Sequence, residues 1–159
     1  MEFGKYLVKG IWGLADKALP VVYGTGYVWL VIRVLPEEEF GNFVLVQEVF
    51  LVISGLATAF ALQPLLKFSS EKDASLDGVI SVSLIFHALF ITAASLLVAA
   101  CSTAAGAVFN SRALGTLMLY VPAMLAASFF RNFTLTLLQA QFRVQEVFWM
   151  DAVHFIGAP

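Results

Sequence analysis

Residues 33–43, RVLPEEEFGNF, lie between two long apolar runs and hold one cation, a proline and three consecutive carboxylates. Pro36 disfavours a helical conformation at Leu35 and suits the first position of a following helix. Glu37, Glu38 and Glu39 then fall in that helix's first turn, where negative charge complements the helix dipole. The stretch therefore reads as a tight turn between two helices.

The composition around it sets the class. Of the 159 residues, 60% are hydrophobic and only 13% charged, and the mean hydropathy is +0.89. An ordinary soluble domain carries about 25% charged residues. So apolar a chain cannot cover itself with polar surface in water, which makes it an integral membrane protein. A net charge of −2 argues against nucleic acid as a partner. The single cysteine, Cys101, permits no disulfide within one chain.

A spanning helix needs roughly 20 predominantly apolar residues. Four segments meet this: about 11–35, 41–66, 78–101 and 114–139. Residues from about 144 onward read as the start of a fifth. The expected fold is an all-α, polytopic membrane helix bundle over residues 1–159. The alternating ten-residue pattern of barrel strands is missing. Lys5 and Lys9 before an apolar run resemble a signal peptide superficially. Asp16, Lys17 and Pro20 interrupt that run and no small-residue cleavage site follows, so it reads as a retained helix. With the N-terminus cytoplasmic, Lys5, Lys9, Lys67, Lys72 and Arg143 lie inside and only Arg33 and Arg112 outside, which favours this orientation.

RVLPEEEFG also carries a resemblance. A helix, an Arg, Leu-Pro, acidic residues and Phe-Gly before a second helix (Arg33, Leu35, Pro36, Glu37, Glu38, Phe40, Gly41) resembles the N-terminus of polysaccharide (O-antigen type) flippases. These belong to the multidrug/oligosaccharidyl-lipid/polysaccharide exporter superfamily. LLQAQFRVQEVFWMDA, at 137–152, resembles the junction between that family's helices four and five. The resemblance implies a multi-pass flippase of the cytoplasmic membrane that moves a lipid-linked oligosaccharide or polysaccharide precursor by alternating access. It implies as partners the lipid-linked substrate, the bilayer, and polysaccharide polymerase and assembly proteins. Family members have more helices, in two lobes, so this chain resembles the first part of one lobe. The alternatives are a multidrug or cation antiporter of the same superfamily, and a non-transporting four-helix interaction subunit or remnant.

Charges inside hydrocarbon cost about 2.5–3.5 kcal/mol each, so they face a cavity or a partner. In the first helix Lys5, Lys9, Asp16, Tyr23 and Tyr27 fall within an arc of about 40°. That stripe reads as a wet groove, with its lysines for phosphate, Asp16 to pair and tyrosines such as Tyr23 to stack on sugars, and Lys9, Lys17, Asp16 and Arg131 are the candidates for the cavity wall; the competing reading is snorkelling lysines and packed tyrosines. Arg131 lies about five residues, roughly 7 Å, from its helix midpoint. Its fork suits a pyrophosphate oxygen pair, or else a structural ion pair with Asp16 as the obvious partner. Glu48, with Gly41 and Gly55 on its face, and His87, alone in the third helix, are candidates for ion coupling; structural hydrogen bonds compete in both cases. Glu146 and His154 share a face without a third ligand, so no metal is expected. No phosphate loop, nucleophile with a base, or paired-Asp loop is present, so neither an enzyme nor a cofactor is expected.

Overall fold

The structure is a computed structural model that describes residues 3–69 and 76–157, with the side chains of 3–9 and 156 outside the description. The described residues are all helical, without strands: α1 (Phe3–Val34), α2 (Glu37–Ala57), a π-helical turn (Thr58–Leu62), α3 (Gln63–Phe68), α4 (Leu76–Val108), α5 (Arg112–Met118), α6 (Val121–Ala140) and α7 (Val144–Gly157). Among the described residues, three helical stretches are long and apolar enough to cross a membrane: Glu37–Phe68, Leu76–Val108 and Arg112–Ala140.

These correspond to the expected spans 41–66, 78–101 and 114–139. The fourth expected span, 11–35, lies within α1, which is equally long at 32 residues but not among the three. Asp16, Lys17 and Arg33, together with Pro20, Gly13, Gly24, Gly26, Tyr23 and Tyr27, dilute its apolar content. The helix nevertheless runs unbroken through Pro20. The expected opening of a fifth helix from 144 is α7.

At the opening stretch α1 ends at Val34, and Pro36 is the residue before α2, with φ −57° and ψ 154°. Its carbonyl accepts from the Phe40 amide at 2.9 Å. Glu37 to Glu39 occupy the first turn of α2, where exposed amides and carboxylates compensate each other.

Two other prolines explain the interruptions. Pro64 lacks an amide and its ring crowds the carbonyl four residues earlier. The chain widens into the π-helical turn ahead of it, with Thr58 Oγ1 donating to the Ser54 carbonyl at 2.9 Å. Pro122 acts likewise between α5 and α6. There the amides of Leu119 and Tyr120 fall back on Thr116 and Leu117, at 3.2 and 3.0 Å, before the α-helix resumes. The stretch Arg112–Ala140 is therefore broken in its first third, after α5.

Val46, Ala57, Ile91, Leu114, Met118, Val121 and Leu125 form the core that joins α2, α4, α5 and α6. Ser111 starts α5 with an extended backbone; its hydroxyl accepts from the Leu114 amide and donates to Asn42 of α2 at 3.3 Å. α4 and α5 meet backbone to backbone at Gly106 and Gly115, where an added Cβ would stand 3.1–3.2 Å from a carbonyl oxygen. The helices α1 and α7 stand apart from this core. They pack chiefly against each other through Trp12 and Phe148, whose ring centres are 4.9 Å apart, and α7 in turn meets α6.

Candidate functional site

The site forms where α1, α6 and α7 converge. Arg131 projects from α6 and Asp151 from α7, with Nη2 of the arginine 2.5 Å from Oδ1 of the aspartate. Both are largely covered, with 26% and 12% of their side chains exposed. α7 brings Asp151 inward because it shares a face with Val147 and Phe148, which pack toward α1. Asp16 enters from α1. It is 5% exposed and close enough to Asp151 for the two to interact electrostatically. Its Oδ2 is 3.4 Å from Nζ of Lys17, whose side chain is 77% exposed.

The expected structural partner of Arg131 was Asp16; the structure pairs it with Asp151 instead. Asp16 is close by, but its Oδ1 has no hydrogen-bond partner, and neither does Nε of Arg131. Two buried carboxylates thus surround one guanidinium that keeps an unused donor.

Aromatic rings lead away from this cluster. The Arg131 guanidinium lies 5.8 Å from the centre of the Phe155 ring. Phe155 meets Tyr23 at 4.7 Å, Tyr23 stacks on Tyr27 at 5.9 Å, and Tyr27 meets Phe43 of α2 at 6.0 Å. Tyr27 and Phe43 line a cleft of about 320 Å³ with Phe50, Tyr120 and Met124. Phe43 and Tyr120 also line a neighbouring groove of about 560 Å³ beside Glu39 and Asn42. The break at Pro122 puts Tyr120, 61% exposed, at the edge of both.

Of the predicted stripe on α1, Asp16, Tyr23 and Tyr27 turn toward α7 and α2. The side chains of Lys5 and Lys9 lie outside the described residues. Lys17 points away from the cluster except for its contact with Asp16.

The two ion-coupling candidates diverge. Glu48 is exposed, and an added Cβ at Gly41 or Gly55 would meet nothing within 4 Å, so the close packing expected on that face does not occur among the described residues. His87 is fully buried on α4. Its ring stacks on Phe129 at 4.6 Å and neither ring nitrogen has a partner, so the hydrogen bond expected of a structural histidine is not made.

Sequence reading weighed Asp151 only as a metal ligand beside Glu146 and His154, and it missed both its pairing with Arg131 and the place of Phe155. A carboxylate on the otherwise apolar face of a short helix was the available signal, but nothing local joins residue 151 to 131. It also missed the bond from Asn132 to Ser54 Oγ at 3.2 Å, which ties α6 to α2.

The chain matches no family model, no curated protein and no solved structure.

Proposed function

We propose that this membrane protein takes part in transport rather than catalysis, as the N-terminal part of a flippase lobe that moves a lipid-linked oligosaccharide or polysaccharide precursor across the cytoplasmic membrane. The observation that carries the reading is Arg131. It is a guanidinium set among membrane helices, with one donor unused, next to a run of rings that ends in an open cleft. An arginine fork takes two oxygens of a pyrophosphate, and aromatic faces stack on sugar rings. The motif around Arg33–Gly41 supports the same reading.

In this proposal α1 crosses the bilayer as a fourth span and α7 opens a fifth, with the N-terminus cytoplasmic. Asp16, Lys17 and Tyr23 join Arg131 along the substrate path. Lys9 would extend it toward the cytoplasmic end. Lipid-linked oligosaccharide is the substrate, and polysaccharide polymerase and assembly proteins are the partners. His87 and Glu48 remain the coupling candidates, with His87 favoured by its burial.

A second reading, a cation antiporter of the same superfamily, draws support from the pairing of Asp16 with Asp151, which sets two carboxylates against one guanidinium. The two separate in cells. Arg131→Ala in the full-length protein should abolish polysaccharide export while membrane insertion stays normal. Normal export by this variant, with drug efflux lost in Asp16→Asn, would transfer the assignment to the antiporter.

A further inference from the structure

We propose that the hollow between the end of α4 and the start of α5 binds the phosphate of an anionic phospholipid, with Arg112 as its cation. The inference concerns the lipid around the protein and does not rest on the transport reading given above.

The hollow lies at one end of the bundle. α4 ends at Val108 and α5 begins at Arg112, beside the start of α2, because Ser111 donates to Asn42 in the second turn of α2. Glu37 to Glu39 mark this end as the one that meets water. The hollow encloses about 540 Å³, and Gly106 and Gly115 on its lining bring the two helices to backbone contact and fix its shape.

Its lining supplies hydrogen-bond donors that have no partner. Arg112, Asn110 and Thr103 line it, and among the described residues none of these three side chains has a hydrogen-bond or ionic partner. The hydroxyls of Ser102 and Thr116 differ, since each donates to a backbone carbonyl of its own helix. The other three arginines are all engaged: Arg33 stacks over the Trp29 ring at 3.9 Å, Arg131 pairs with Asp151 and Arg143 with Glu146. No carboxylate lines the hollow, and Glu39 lies in the groove on the other flank of α5. A guanidinium beside an amide and a hydroxyl suits the oxygens of a phosphate.

The rim points to the source of that phosphate. Leu119 lines the hollow and Val108 and Phe109 adjoin it, all three exposed. In a membrane such side chains meet acyl chains. A ligand with a phosphate and an apolar chain is then held at both ends, whereas a free phosphate is held only at one. Basic pockets between membrane helices hold anionic headgroups in this manner.

Native mass spectrometry of the full chain in detergent, titrated with phosphatidylglycerol, tests this. Wild type should retain one phosphatidylglycerol in preference to phosphatidylcholine, whose ammonium repels the arginine. Arg112→Gln should weaken that site about fivefold, the worth of one basic residue beside anionic lipid. Arg33→Gln removes an equal charge at the same end of the bundle and should leave the site unchanged. Equal affinity in wild type and Arg112→Gln, an equal loss in Arg33→Gln, or equal retention of the two lipids by wild type would each overturn the proposal. Thr103→Val, on the facing helix, should also weaken binding; if Arg112→Gln does not fold, unchanged binding in Thr103→Val overturns the proposal instead. Displacement of the lipid by equimolar inorganic phosphate would overturn the lipid assignment and make the hollow a free-anion site.

Discussion

At the scale of single residues, energetics turn on which buried polar groups have partners. Removing Arg131 leaves Asp151 buried beside a second carboxylate. Breaking a fully buried ion pair costs roughly 3–5 kcal/mol, and Arg131→Gln should cost somewhat less because a quarter of its side chain is exposed. Adding Asp151→Asn should recover much of the loss, a pattern that unfolding in graded SDS would reveal. His87 presents the opposite case. Its ring nitrogens have no partners, so burying them forfeits hydrogen bonds made to water in the unfolded chain. His87→Phe keeps the ring against Phe129 and should be neutral or stabilising by about 1 kcal/mol; a loss of stability would mean that the imidazole makes a bond the fold depends on. Both residues stood out in the sequence as polar groups in apolar runs. Their surroundings did not, because the partner of Arg131 is set by how α7 docks, and nothing in the local pattern encodes that.

At the scale of elements, prolines and glycines govern how far each helix runs and how closely it packs. The turn at Leu35–Pro36 was legible, since a proline followed by three glutamates is a helix start in almost any context. The breaks ahead of Pro64 and Pro122 were less so, because apolar composition continues through them and hydropathy carries no record of a missing amide. The close approach of α4 and α5 at Gly106 and Gly115 tolerates almost no added volume. Gly115→Leu should therefore force the helices apart and cost about 1–3 kcal/mol, the usual range for overpacking. Gly24→Ala, in a helix with open space around that position, should be harmless or slightly stabilising. Phe142, between α6 and α7, has φ 54°, a left-handed conformation that a bulky side chain adopts at a cost of about 1–2 kcal/mol. Phe142→Gly should relieve that strain, with a rise in the SDS unfolding midpoint as the readout.

At the scale of the whole molecule, α1 and α7 form a pair that leans on the bundle of α2 to α6, and Arg131 with Asp151 bridges α6 of the bundle to α7 of that pair. Composition alone made the membrane class evident. Hydropathy sets α1 apart from the three other long helical stretches, because its charges, proline, glycines and tyrosines dilute its apolar content. The turn at residues 33–43 stands away from Arg131, so under the proposed flippase function Glu38→Gln should leave export nearly unchanged. The most direct test of the account is equilibrium binding of a prenyl-pyrophosphate-linked sugar to the purified protein, comparing wild type with Arg131→Gln and Glu38→Gln. Losing a bidentate charge-assisted contact should weaken binding by about tenfold or more for Arg131→Gln, with Glu38→Gln unchanged. Equal affinity in wild type and Arg131→Gln would contradict the assignment of the anion site to Arg131.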